Sequence, residues 1–295
     1  MDYSILSIHA ALAYFALALT MISPWIKRSP WVWGSFLIFA FILGYFAHII
    51  TPIALAPIGA LFILHSLLKG EIKGFIRFIL VVITAGISLG LLFHMFPGFN
   101  NVNLFQNQLI SPNGIPVSLY LNFDKPFIGV FVLVLGFPLI TNFSTFFRLL
   151  KAIVPLTLCG IFIMIALALF SGLIEWDPKF PSIFWVFAIE NLLYVCISEE
   201  AFFRGFIQNE FFRWFGGKGY LANCGCVLIT AFLFAALHYP WVSSIPFLGL
   251  VFVAGIIYGS IFQFTKSLEA SIFCHWIFNL THLLLFTYPA LKSAI

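Results

Sequence analysis

A chain of 295 residues, of which 62% are hydrophobic and only 8% are charged, is not an ordinary soluble domain, because soluble domains carry about 25% charged residues. The formal net charge of +4 is spread over the loops and forms no basic patch, which excludes nucleic acid as a partner. The composition therefore predicts an all-α, polytopic membrane protein in contact with the lipid bilayer.

Apolar stretches of about 20 residues, the length that crosses a bilayer as a helix, recur along the whole chain and predict about ten transmembrane helices. The first four form an accessory N-terminal part, residues 1–96, and the others belong to a second part, residues 127–295. The span 127–141 is short and contains Gly136 and Pro138. In chain order the predicted spans are 4–22, 31–50, 53–68, 74–96, 127–141, 152–173, 182–208, 221–238, 245–264 and 269–287.

Residues 97–126 form one long segment without a predicted span, and they are rich in Asn and Pro. A connection of this length in a compact protein is usually either a linker or a functional loop. Two interpretations therefore remain open for this segment. It is a linker between the two groups of helices, or it is a lid that faces the substrate.

The basic residues of the loops predict the orientation of the helices. Most lysines and arginines fall on one side of the predicted alternation, and the positive-inside rule assigns that side to the cytoplasm. Both termini are then expected outside the cytoplasm, and the short loops suggest a multi-pass protein of a bacterial inner membrane. The basic residues on the predicted cytoplasmic side are Lys27, Arg28, Lys69, Lys73, Arg77, Arg148, Lys151, Arg213, Lys218 and Lys266.

Three charged residues, Glu199, Glu200 and Arg204, lie close together inside an apolar span. A charged side chain at the bilayer centre costs roughly 2.5–3.5 kcal/mol, so each must be paired, solvated or neutralised. Glu200 and Arg204 are one α-helical turn apart with the acid first, which is the favourable order for an ion pair. Glu199 points about 100° away and has no local partner. We therefore predict a functional role for Glu199 and a supporting role for the pair.

Two further apolar helices carry polar residues that could meet Glu199. The eighth predicted span ends with His238, one turn after Phe234. The last span has His275 and Asn279 four residues apart, on one face of an otherwise apolar helix. A single histidine in such a helix is usually a packing residue. Inward polar faces on three helices, however, predict a convergent site.

These residues resemble the three motifs of the CPBP family of intramembrane endopeptidases, which includes the type II CAAX prenyl endopeptidases and the Abi proteins. Residues 199–204 (EEAFFR) are similar to E-E-x-x-x-R, residues 234–238 (FAALH) to F-x-x-x-H, and residues 275–279 (HWIFN) to H-x-x-x-N. The similarity covers roughly residues 180–287. It implies a CPBP-like helical catalytic core within residues 127–295, and hydrolysis of a peptide bond near the C-terminus of a peptide or lipidated protein.

Each of these side chains is suited to one step of peptide hydrolysis. The reaction needs an activated water, donors for the oxyanion and a proton for the departing amine. Glu199, with His238 beside it, is suited to activating the water and passing on its proton. His275 and Asn279 are suited to stabilising the oxyanion. The resemblance implies the same division of work, with the Glu200 and Arg204 side chains in support.

A metal-dependent alternative remains open. His238, His275 and Glu199 could hold zinc while a second glutamate acts as the base. The chain lacks an H-E-x-x-H motif, and no two candidate ligands share a helical turn. We therefore favour a glutamate-dependent enzyme without a cofactor, and keep zinc as the alternative.

Two other classes of function are compatible with the same residues. A proton-coupled transporter also places carboxylates and histidines inside a helical bundle, although the chain shows no matching halves. A catalytically inactive membrane scaffold would keep the fold and bind a partner. The intact motifs favour the protease, which would act on a peptide or a lipidated protein.

Overall fold

The computed structural model describes residues 7–240 and 244–294, which are mostly helical. The described residues form two compact units that alternate along the chain. The first unit comprises the residues up to Phe105 together with Leu119–Thr141 and Leu193–Phe202, and the second comprises Gln106–Ser118, Asn142–Leu192 and the residues from Phe203 onward. The predicted division into residues 1–96, 97–126 and 127–295 stays a prediction.

Four long helices make up most of the first unit, and they follow the first four predicted spans closely. They are α1 (Ile8–Ile26), α2 (Pro30–Phe46), α3 (Leu55–Lys69) and α4 (Gly74–Leu92). The side chain of Ser7 caps α1 by accepting a hydrogen bond from the Ala10 amide, and Pro30 starts α2 at a position where its missing N–H costs nothing. Residues 4–6 of the first predicted span lie outside the described residues.

The predicted span 127–141 is wrong in its helical extent. Only Phe127–Val134 is helical (α5), a length of about 12 Å at 1.5 Å per residue. The helix stops because Gly136 adopts a left-handed backbone with φ of +130°, and Pro138 follows. An apolar helix without a polar face belongs in a protein interior, and nearly all of α5 is buried.

The segment 97–126 contains a β-hairpin that the sequence analysis did not predict. Strand β1 (Val102–Gln108) pairs with strand β2 (Val117–Leu121). In the second unit the turn of the hairpin is held by the end of the chain: the Tyr288 amide donates to Ser111 Oγ at 2.8 Å, and the Ile115 amide donates to the Ala290 carbonyl at 3.1 Å. The all-α prediction is therefore wrong for this segment.

Long apolar helices also dominate the second unit. Helix α6 (Phe143–Phe170) begins well before the predicted residue 152, because the side chain of Asn142 accepts hydrogen bonds from the amides of its first turn. The later helices agree with the last three predicted spans. They are α8 (Tyr220–Ala236), α9 (Ile245–Thr265) and α10 (Leu268–Leu285).

Helix α7, residues 184–215, carries the two adjacent glutamates and is not a regular α-helix. It is α-helical over Phe184–Glu190, π-helical over Asn191–Cys196, α-helical over Ile197–Glu200, π-helical over Ala201–Gln208 and α-helical over Asn209–Phe215. π-Helical turns inside α-helices occur frequently at functional sites. The 100° step assumed for an α-helix therefore does not hold between Glu200 and Arg204.

Among the described residues, six helices are long and apolar enough to cross a membrane. They are α1, α3 with the short 3-10 turn before it, α4, α6, α9 and α10. Helices α2 and α8 are apolar but shorter. These helices indicate a membrane protein, and the number of ten passes stays a prediction.

Candidate active site

A cavity of about 320 Å³ lies inside the second unit, with walls from α6, α7, α8, α9 and α10. Most of the wall is apolar, as expected for a ligand site that needs only a few polar groups to orient its occupant. The structure brings together three of the predicted residues, His238, His275 and Asn279, around this cavity. The motifs that supplied them are far apart in the sequence.

His238 lies in the turn that follows α8. Its Nδ1 donates a hydrogen bond to the Phe234 carbonyl at 2.7 Å, and because a carbonyl can only accept, Nδ1 carries the proton. In the neutral ring the lone pair is then on Nε2. Phe234 thus fixes the tautomer through its backbone, and its ring packs at 4.6 Å from the imidazole.

His275 is buried on α10, and aromatic side chains hold its ring. The imidazole stacks on Tyr258 of α9 with the ring centroids 4.6 Å apart and an angle of 18° between the planes. The Phe234 ring meets it edge-on at 6.0 Å. Tyr258 was not predicted as a site residue, because a single tyrosine in an apolar span carries no distinctive signal.

Asn279 is oriented by Asn191, a second residue that the sequence analysis missed. Asn279 Nδ2 donates to Asn191 Oδ1 at 3.0 Å, from α10 to the first π-helical stretch of α7. Trp276 strengthens the same contact by donating from Nε1 to the Ala188 carbonyl at 2.9 Å. A signal for Asn191 was present, since an amide inside an apolar span is costly unless it is hydrogen-bonded.

Arg204 is fully buried and lies behind the aromatic wall of the cavity. Its Nη2 donates to the Gly255 carbonyl of α9 at 3.0 Å. Its guanidinium carbon is 4.8 Å from the centre of the Phe234 ring and 5.4 Å from that of Tyr258. These two rings contact the cavity histidines, so Arg204 supports their position. The predicted ion pair with Glu200 stays a prediction.

Glu199 belongs to the first unit, where it forms a buried ion pair. Lys125 Nζ lies 2.6 Å from Glu199 Oε1, and the two side chains are 14% and 7% exposed. The spacing of residues in the sequence could not predict this partner, because Lys125 lies 74 residues before Glu199 in the chain. The neighbouring Glu200 is fully buried.

The described residues contain no group of three or more His, Cys, Asp or Glu side chains that could hold a metal ion. Catalytic zinc usually has three protein ligands. The zinc alternative, with His238, His275 and Glu199 as ligands, stays a prediction.

A family model described as Rce1-like, type II CAAX prenyl endopeptidase Rce1-like, matches residues 181–281. The match confirms the predicted resemblance and contains all three motifs. It covers α7, α8, α9 and most of α10, and does not extend to the N-terminal helices or to Lys125. No curated protein and no solved structure matches the chain.

Proposed function

We propose that the protein is an intramembrane protease that cleaves near the C-terminus of a prenylated or otherwise membrane-associated peptide, because residues 181–281 match the family model of the type II CAAX prenyl endopeptidases. The observation that carries this proposal is the cavity shared by His238, His275 and Asn279. Its volume falls in the range of ligand sites, and its mainly apolar wall is suited to a substrate that arrives through the bilayer.

In the proposed reaction Glu199 is the general base. Its carboxylate takes a proton from a water molecule, and the hydroxide adds to the carbonyl carbon of the scissile peptide bond. His238 supports the proton transfer, since its tautomer leaves the lone pair on Nε2. The proton is then delivered to the leaving nitrogen as the C–N bond breaks, which yields one carboxylic acid and one amine.

His275 and Asn279 are assigned to the oxyanion that forms when the hydroxide adds. Donors that are already in place before the reaction stabilise this charge most effectively. Both side chains are fixed by neighbours, His275 by the ring of Tyr258 and Asn279 by the amide of Asn191. Glu200 and Arg204 are proposed to support the site, and the reaction is proposed to proceed without a metal ion.

We also propose about ten membrane passes in a bacterial inner membrane, with both termini outside the cytoplasm. The short α5 counts as a pass because its segment crosses the first unit. Asp124 lies 2.7 Å from His94 at the end of α4, whereas the Phe137 carbonyl accepts a hydrogen bond from Arg28, just after α1. When successive helices alternate in direction, the C-terminal ends of α1 and α4 lie on opposite sides of the membrane.

The test is cleavage of a synthetic peptide that ends in a prenylated CaaX sequence by the purified protein in liposomes. The proposal predicts two fragments whose masses sum to that of the peptide plus one water, and loss of both fragments in His238→Ala. Cleavage should persist in a metal chelator, and its loss on chelation with recovery on added zinc would favour the metal-dependent alternative. A transporter or an inactive scaffold would give no fragments with any variant.

A further inference from the structure

The ion pair between Lys125 and Glu199 joins the segment just before α5 to the residue proposed as the general base. Lys125 lies outside the segment that matches the family model, and no motif predicted it. With Nζ and Oε1 2.6 Å apart and both side chains largely buried, the pair is shielded from water. Such a pair is weakened little by salt and has a strong effect on the protonation state of its members.

The fold positions Lys125 through the short helix that follows it. Helix α5 packs so closely on α7 that a Cβ on Gly129 would lie 2.9 Å from the Ser198 carbonyl oxygen and 2.9 Å from the Ala201 side chain. Ser198 and Ala201 flank the two glutamates. The close approach of the two helices therefore fixes the position along α7 at which Lys125 contacts Glu199.

Asp124, directly before Lys125, anchors the segment that leads into α5, and it is almost fully buried. Its carboxylate lies 2.7 Å from His94 Nδ1, and accepts hydrogen bonds from Asn101 Nδ2 at 3.0 Å and from the Lys125 amide at 2.9 Å. Asp124 is thus satisfied by groups other than the Lys125 ammonium. The charged groups of the first unit around the pair are Asp124, His94 and, next along α7, Glu200.

We propose that Lys125 is a positioning residue of the active site, whose ammonium keeps the Glu199 carboxylate ionised and correctly oriented to accept the proton of the attacking water. This inference rests on the proposed role of Glu199 as the base. A carboxyl group in an apolar interior tends to hold its proton, and a protonated acid cannot activate water. An adjacent cation favours the ionised form, so Lys125 supplies a charge that a general base in this site requires to work near neutral pH.

The test compares the pH dependence of cleavage in the parent, Lys125→Met and Lys125→Arg, with Lys73→Met as a matched control that removes an exposed lysine of the same unit. In Lys125→Met the acid limb of kcat/KM should move to higher pH by about one unit or more. Lys125→Arg should restore the parent profile in large part, and Lys73→Met should not change it. A role in folding alone would lower the amount of active protein without moving the limb.

Infrared spectroscopy tests the same inference without cleavage. Spectra of the parent and of Glu199→Gln are recorded near neutral pH in a detergent without ester groups. Their difference should show that Glu199→Gln has lost a carboxylate band and has not lost a band of a protonated acid. In Lys125→Met the band of a protonated acid should appear, and the further change Glu199→Gln should remove it. A protonated Glu199 in the parent, or an unchanged Lys125→Met spectrum, would overturn the inference even if the protein cleaves peptides. If cleavage is absent but these bands behave as expected, the proposed function fails and the ion-pair inference stands.

Discussion

Asn279 Nδ2 donates a hydrogen bond to Asn191 Oδ1 at 3.0 Å, and this contact joins two helices in the wall of the cavity. Removing one oxyanion donor from an enzyme typically lowers kcat by about 10²–10³-fold. We expect Asn279→Ala to lower kcat by this amount with little change in KM. We expect Asn191→Ala to lower kcat about tenfold, since it only frees the Asn279 amide to rotate.

The double variant distinguishes positioning from direct participation. If Asn191 acts through Asn279, the variant with both changes should be no slower than Asn279→Ala alone, because effects within one unit are not additive. Steady-state cleavage of the prenylated peptide measures all three variants. Multiplication of the two losses in the double variant would show that Asn191 acts independently.

Arg204 should contribute strongly to stability, because it is fully buried and donates to a main-chain carbonyl. Arg204→Met is expected to lower the free energy of unfolding by about 2 kcal/mol or more. Arg204→Lys should recover only part of this loss, since an ammonium lacks the planar face that covers the aromatic rings. Thermal unfolding of the purified variants, followed by tryptophan fluorescence, measures the effect.

Arg148 provides the control for this prediction, since it is exposed on α6 of the same unit and donates a long hydrogen bond to Thr145 Oγ1 at 3.4 Å. Exposed substitutions of this kind change little, so Arg148→Met should change the stability by less than about 0.5 kcal/mol. Equal losses in the two arginine variants would contradict the structural role assigned to Arg204.

Gly129 should tolerate no side chain. Because its Cβ would meet Ser198 and Ala201 of α7 at 2.9 Å, Gly129→Ala should force α5 and α7 apart and destabilise the protein by about 1–3 kcal/mol. The matched control is Gly86→Ala in α4, where nothing lies within 4 Å. That change should be neutral or stabilise the helix by up to about 1 kcal/mol. Gly129→Ala should therefore lower the melting temperature and Gly86→Ala should not, and an equal decrease in both variants would count against the close packing of α5.

The proposed orientation predicts which loops face the cytoplasm. In a variant without the native cysteines, Asn113→Cys in the exposed turn of the hairpin should react with a membrane-impermeant maleimide in intact spheroplasts. Lys73→Cys, which is also exposed, should react only after permeabilisation. The reverse pattern would show that the positive-inside rule gives the wrong orientation here.

Local patterns in the sequence predicted the features that depend on one helix at a time. Runs of apolar residues gave most helices to within a few residues, and the spacing of four placed His275 and Asn279 on one face of α10. The motifs predicted a convergent site of Glu199, His238, His275 and Asn279. The last three line one cavity, and the catalytic roles of all four stay predictions. The family match confirms the resemblance that led to them.

Features that depend on packing between distant segments were not predictable in the same way. In the sequence Lys125 resembles any other loop lysine, and its contact with Glu199 depends on the packing of α5 against α7. Tyr258 and Asn191 are single residues in apolar spans, and only the structure shows which side chains they hold. The π-helical stretches of α7 were not predicted, because they change the number of residues per turn only locally within one continuous helix. The hairpin was missed because both strands are short and the first, VNLFQNQ, is rich in Asn and Gln, although the alternation in VSLYL is typical of a strand.

The most direct test of the account is the single-turnover rate of cleavage of the prenylated peptide by Glu199→Gln at saturating substrate. The glutamine keeps the size of the side chain but cannot accept the proton of the water. We predict that the rate falls by about 10²–10⁴-fold, the contribution of a general base, while the Kd for the peptide stays within about threefold of the parent value. A Glu199→Gln protein that cleaves at the parent rate would contradict the assignment of Glu199 as the base and, with it, the proposed mechanism.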